Sequence, residues 1–405
     1  MLEPKSAMVR SLLCLGFRAT MGAKHDFVNG TRVGMAKGML QVSGRQPESR
    51  HRLPTWGIIL ATQSRVSKMR SPVQLKLGNL RHRMAGETVA RAHIVDLLVA
   101  AMSRRSKMFS PGWGDEGVLT GLTGQVSPTD ALDPITVTWK TTGQRNKVAT
   151  RDGEFPSPLA KLPAEAGTVH LRAWMREGNG DACVVLAGSH DEGYGIRERV
   201  FGSLVERGID LYFLENPYYG ARRIPGGISA LKVSDQALMA LGMVLEARAL
   251  LGCLRPQYKN LAAAGYSMGG HMAAITAAVT PFPIACAALA TGASASTIYT
   301  RGLMSWCVDF DSLAQESAQR AEAQERLHRF FDAADITNYP VPIRPDASII
   351  LGCTRDGYVL RSETERLHQH WTGSTLRWLN AGHFSALITS RKTLCDCLSD
   401  AIEKL

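Results

Sequence analysis

The 405-residue sequence predicts an α/β protein: a mostly parallel central sheet flanked by helices, with a helical lid insertion over one edge. Three observations predict it. From Ala182 onward, short apolar runs alternate with amphipathic stretches, as expected of strands joined by crossover helices. The apolar run Leu261 to Ala264 leads through Gly265-Tyr266-Ser267-Met268-Gly269 into the helix-prone stretch Gly270 to Ala278, so that a serine sits on a sharp strand-to-helix turn. A carboxylate, Asp356, and a histidine, His383, each follow a later strand-like run.

Residues 1–90 are rich in Gly, Ser, Arg and Met, without sustained strand or helix periodicity, and read as a basic, disordered extension. The folded domain is assigned to 91–405, beginning near Ala92. Strand-like runs come first at Ile135 to Lys140, His170 to Arg176 and Ala182 to Gly188. Ile196 to Glu206 places Ile196, Val200 and Leu204 on one helical face, and Ile209 to Leu214 reads as the next parallel strand, stopped by Asn216-Pro217. The long helix Val233 to Leu251 feeds the strand ahead of Ser267, and Ile284 to Leu289 follows as another strand. The insertion, 296–346, contains the polar helix-like stretch Asp311 to Asp332. Its Leu303, Met304, Trp306, Phe330 and Phe331 suit either an acyl-chain pocket or attachment of the insertion to the core. Ser348 to Cys353 and Leu376 to Leu379 are the last strands. Leu394, Leu398 and Ile402 give the terminal helix a face for the sheet.

In such a sheet, a serine, a carboxylate and a histidine placed just past parallel strands share the C-terminal edge. The chain order Ser267, Asp356, His383 is that of the alpha/beta-hydrolase fold and differs from the orders of the two common serine protease folds. His383 is then the base that takes the Ser267 proton, Asp356 orients and charges it, and Ser267 forms an acyl-enzyme. The oxyanion needs fixed donors. The Met268 N–H is one, and the Ser189 N–H, on the loop after Ala182 to Gly188, is the first choice for the second. His190 reads equally as an active-site contact or a helix cap, and His271 as structural. Arg222 and Arg223 suit an anionic substrate group or a solvated loop.

Composition narrows the class. A chain with 45% hydrophobic and 20% charged residues is neither wholly disordered nor a membrane bundle. No uninterrupted apolar run reaches the roughly 18 residues of a membrane span. The net charge of +11 is concentrated early: residues 1–110 hold 19 Lys+Arg against 5 Asp+Glu, leaving 28 against 31 in the rest. Nucleic-acid binding by the folded domain is therefore not expected, whereas the basic N-terminus suits peripheral contact with an anionic membrane. The eight cysteines lie mostly in apolar runs, and Cys395-Asp396-Cys397 splays its thiols around a helix, so neither a disulfide framework nor a metal site is expected. A cytoplasmic location is expected. The first 25 residues also resemble an organelle transit sequence, which keeps a mitochondrial location as the alternative.

Beyond the triad, several motifs occur in the order of the α/β-hydrolase domain-containing protein 18 family: Lys107-Met108-Phe109 with Gly112-Trp113-Gly114, Phe155 to Leu159, Leu186-Ala187-Gly188-Ser189, Leu214 to Gly220, Val233-Ser234-Asp235, Ser267 to Ala273 and Gly382-His383. The chain resembles that family from about residue 100 to its end. It departs at Ser189-His190-Asp191-Glu192, where the family pattern reads Thr-Gly-Asp-His, and this makes the oxyanion loop the critical point of the chemistry. The resemblance implies a serine hydrolase acting on lipid acyl esters, without metal or organic cofactor. An acyltransferase or peptidase on the same triad, or a non-catalytic binding protein of the same fold, are the alternatives.

Overall fold

The computed structural model describes residues 91–405 apart from 122–125, 146 and 315–318. The extension assigned to 1–90 lies outside the described residues. Two helices, α1 (Ile94–Ser103) and α2 (Glu116–Gly121), precede nine strands: β1 (Thr138–Arg145), β2 (Val148–Pro156), β3 (Thr168–Arg176), β4 (Asp181–Leu186), β5 (Ile209–Leu214), β6 (Asn260–Tyr266), β7 (Ala285–Leu289), β8 (Ser348–Cys353) and β9 (Thr375–Leu379). They form one sheet in the order β1-β2-β3-β5-β4-β6-β7-β8-β9. The pairs from β5 to β9 are parallel, and β1, β2, β3 and β5 pair antiparallel. The mostly parallel sheet expected from the sequence is therefore present, with an antiparallel edge.

Period-two alternation sorts the strands' side chains to two apolar layers. Ala182, Val184 and Leu186 of β4 join one layer, and Cys183 and Val185 the other. The first is closed by α4 (Val233–Leu254), α5 (Met268–Val279) and α9 (Arg361–His370), the second by α3 (Gly195–Phe201) and the terminal helix α11 (Arg391–Ile402), which contributes Leu394, Leu398 and Ile402 as the sequence predicts. By length and composition α4 could cross a bilayer, although Asp235, Gln236, Glu246 and Arg248 interrupt its apolar run. Two thirds of its apolar window (67%) is buried in the fold, as in a core helix.

Four sequence expectations change. The first strand runs Thr138–Arg145, later than Ile135 to Lys140. Strand β2 was not foreseen, because only Gly153 and Phe155 of its nine residues are buried and its pairing with β1 and β3 fixes it. Helix α3 stops at Phe201 and tightens into a 3₁₀ turn, Gly202–Arg207, that still buries Leu204. Between β7 and β8 the expected helix Asp311 to Asp332 is two helices, α7 (Phe310–Ala314) and α8 (Arg320–Asp332), preceded by α6 (Ser296–Thr300) and a 3₁₀ turn, Leu303–Cys307.

Candidate active site

Strand β6 lies between β4 and β7 and ends at Tyr266. Ser267 then takes φ 59° and ψ −122°, a backbone conformation costly for a residue with a Cβ, and α5 starts at Met268. The flanking glycines are steric requirements. A Cβ on Gly265 would lie 2.4 Å from the Gly269 carbonyl oxygen, and one on Gly269 would lie 2.3 Å from that of Leu186. Strand, turn and helix thus pack backbone against backbone, which fixes the serine above the sheet edge. The Ser267 N–H donates to the Leu289 carbonyl at 2.8 Å and anchors the turn to β7.

The loops after β8 and β9 bring the other two predicted residues to it. Ser267 Oγ is 2.8 Å from His383 Nε2, and His383 Nδ1 is 2.7 Å from Asp356 Oδ2. With the Nδ1 proton donated to the carboxylate, Nε2 is left to accept the serine hydroxyl proton. The other oxygen of Asp356 accepts the N–H groups of Tyr358 at 2.8 Å and Val359 at 2.9 Å, so the carboxylate cannot swing away. Tyr266, Tyr358 and Phe384 surround the imidazole with ring centroids 5.4, 5.1 and 5.5 Å away, and the Tyr266 hydroxyl donates to the His383 carbonyl at 2.6 Å. Burial alone would lower the His383 pKa. The charge and hydrogen bond of Asp356, with the charge of Asp96, outweigh it and hold the imidazole above its ordinary value.

Asp96 is a site residue that sequence reading missed. It lies on α1, fully buried, and accepts backbone N–H groups from both the Asp356 and the His383 loops. In the sequence it is one acid in the apolar helix IVDLLVAAMS, indistinguishable from a solvated charge.

At the other side of Ser267, Met268 opens α5, with the helix N-terminus directed at the serine. The loop after β4 carries Ser189, whose hydroxyl lies 3.6 Å from Met268 Sδ. The His190 N–H is already engaged, donating to Tyr219 Oη at 3.2 Å, whereas the Ser189 and Met268 N–H groups find no backbone acceptor among the described residues.

The remaining candidates separate clearly. The two ring nitrogens of His271 lie 3.2 Å from the Gly292 carbonyl and 3.3 Å from that of Ala334, the protonated one donating, in keeping with a structural histidine. Arg222 is not available to a substrate anion. It is fully buried and saturated by Glu246 and the carbonyls of Ala166 and Glu215, while Arg223 pairs with Glu192. In the insertion, Leu303 packs under α1 with Ala92 and Tyr358, whereas Phe331 stacks on Tyr299 with centroids 4.2 Å apart, beside Phe109 and Phe330. Among the described residues, no group of three or more His, Cys, Asp or Glu could hold a metal ion.

A model of the family described as alpha/beta hydrolase domain containing 18 matches residues 106–334 and 314–404, more than half of the chain. Similar solved structures include acetyl xylan esterase 1 from Thermoanaerobacterium sp. JW/SL YS485, at 14% identity and a TM-score of 0.47 over 73% of this chain and 98% of that one. An S-formylglutathione hydrolase from Agrobacterium tumefaciens is similar at 15% identity and a TM-score of 0.43, over 67% of this chain and all (100%) of that one.

Proposed function

The chain belongs to the alpha/beta hydrolase domain containing 18 family, and from that premise we propose that it is a serine hydrolase that cleaves carboxylic esters through an acyl-enzyme on Ser267. The observation that carries this reading is the continuous relay of 2.8 Å and 2.7 Å contacts from Ser267 through His383 to Asp356, on a strained strand-to-helix turn. A serine hydroxyl is a weak nucleophile, and a neutral imidazole at hydrogen-bonding distance is what activates it. As Ser267 Oγ bonds to the acyl carbon, its proton passes to His383 Nε2. The carbonyl oxygen becomes an oxyanion held by the N–H groups of Met268 and Ser189, worth roughly 3–4 kcal/mol per well-placed donor. Collapse expels the alcohol, which takes the proton from His383, and water, activated by the same base, then releases the acid.

The acyl group we assign to this site is a lipid acyl chain. The apolar residues of the insertion support it: Tyr299 and Phe331 pack with Phe109 into a buried aromatic cluster that an acyl chain would enter once the insertion moves. The helical insertion would then act as a lid.

The test is labelling of the purified full chain with a fluorophosphonate, comparing parent, Ser267→Ala and His383→Ala, with circular dichroism to confirm folding. Loss of label in Ser267→Ala and strong slowing in His383→Ala are expected. A folded parent that does not label, and turns over no p-nitrophenyl ester of short or long acyl chain, would overturn the reading.

A further inference from the structure

Asp96 makes an unusual set of bonds for a residue some 260 positions or more from its partners. Its Oδ2 accepts the N–H of His383 at 2.8 Å and of Gly357 at 3.0 Å, and its Oδ1 accepts the N–H of Phe384 at 3.0 Å. Gly357 adjoins Asp356, so one carboxylate joins the acid loop to the base loop. Such an approach leaves no room for a side chain at 382: a Cβ on Gly382 would lie 2.3 Å from His93 Cβ and 2.9 Å from each Asp96 oxygen. Helix α1 is itself tied to the acid loop, the His93 N–H donating to the Arg355 carbonyl at 2.9 Å and the Tyr358 hydroxyl to the Asp96 carbonyl at 3.4 Å.

A neutral amide, with a single acceptor oxygen, could not satisfy all three donors. A carboxylate does so with both oxygens accepting, the bonding of its ionised form, at the cost of burying a second negative charge beside Asp356. That cost is offset where a positive charge develops nearby, and His383 becomes imidazolium during attack. Resting on the reading of His383 as the general base, we propose that Asp96 is a positioning residue of this site: it locks the acid and base loops in register, and its charge supports the His383 imidazolium as Ser267 attacks.

The surrounding groups are consistent with this role. The ionisable groups facing Asp96 and His383 are His93 on α1, Arg355, Asp356 and Tyr358 on the acid loop, Tyr266 from β6, and Cys353 and Cys307. Arg355 is the one permanent cation among them, and burial together with the Arg355 charge holds the His93 pKa down, so His383 is where positive charge would be gained. Burial pushes the Asp96 carboxyl up, and the Asp356 charge adds to this, against the pull of His383 and the Phe384 and His383 N–H groups.

The test is Asp96→Asn in the full chain. The amide oxygen keeps the acceptor position of Oδ2, so the loops stay joined by two bonds while the charge is lost. Titration of His383 by nuclear magnetic resonance in histidine-labelled protein, assigned with His383→Gln, should move to lower pH in Asp96→Asn. Fluorophosphonate labelling at its pH plateau should slow by about 10- to 100-fold with the melting temperature largely kept. A folded Asp96→Asn whose His383 titrates as in the parent and labels at the parental rate would overturn the proposal. Should that variant fail to fold, the carboxyl carbon resonance of Asp96 in the parent decides: it must show an inflection at the His383 titration, and a flat response refutes the coupling. These titrations need no turnover, so a parent that never labels would sink the hydrolase reading while the electrostatic coupling was still decided.

Discussion

Replacing Asp356 by asparagine should abolish nearly all turnover while barely touching the fold, and the hydrogen bonds around it say why. Oδ1 holds two backbone donors, Tyr358 at 2.8 Å and Val359 at 2.9 Å, while Oδ2 faces His383 Nδ1 at 2.7 Å. An asparagine can keep both backbone bonds only by placing its amide oxygen where Oδ1 was. Its NH₂ then points at Nδ1, which must become an acceptor. The imidazole proton moves to Nε2, 2.8 Å from Ser267 Oγ, and the base can no longer take the serine proton. The imidazolium also loses its adjacent charge. The same substitution in a characterised serine protease triad lowers kcat about 10⁴-fold, equivalent to ~5.5 kcal/mol of barrier. Stability should fall by no more than about 1 kcal/mol, since size and backbone bonds are retained. The assay is p-nitrophenyl ester hydrolysis by the purified full chain beside Ser267→Ala, with thermal melts of each. Turnover within tenfold of the parent in a folded Asp356→Asn would refute the assignment of Asp356 as the residue that sets the tautomer.

Three further outcomes are expected. Gly269→Ala places a methyl 2.3 Å from the Leu186 carbonyl oxygen and should destabilise by about 1–3 kcal/mol while displacing the turn, so melting temperature and labelling rate should fall together. Arg222→Met leaves the fully buried Glu246 without its cation and should cost about 3–5 kcal/mol in urea unfolding, with the fluorophosphonate-reactive serine retained wherever the variant is folded. Because only neutral His383 accepts the serine proton and its pKa lies above the ordinary 6.5, kcat/KM should decline as pH falls through a value above 6.5, and Asp356→Asn should shift that limb to lower pH.

The parallel half of the sheet was legible because its strands are buried on both faces. β4, β5, β6, β7 and β8 read as apolar runs, and the crossover helices α4 and α5 between them are themselves long apolar stretches. The antiparallel edge was not: β2, with Thr150, Arg151, Asp152 and Gly153, has little apolar signal of its own and is made a strand by its neighbours. Ser267, Asp356 and His383 could be placed because each directly follows a legible strand. Arg222 was misread for the opposite reason. Its partner Glu246 lies 24 residues on, within α4, and nothing local marks the two as a pair. Asp96 hid in the same way, its only trace in the sequence being the glycine ahead of His383 that makes room for it.

The bonds at Asp96 span 261, 287 and 288 residues, nearly the whole length of the folded region. During synthesis the α1 carboxylate leaves the ribosome early and waits for donor loops that exist only once β9 and the turn into α10 (His383–Thr389) have been made. Closing so long a loop is entropically among the last steps available to the chain. A reactive serine is a hazard in a half-made protein crowded by other nascent chains. On the proposed function, the serine would become fully reactive only when both ends of the domain have met, so that the appearance of a nucleophile and the completion of folding would coincide. Loss of the end that carries Asp96, or of the one that carries His383, would then be expected to leave the serine without its activating partners.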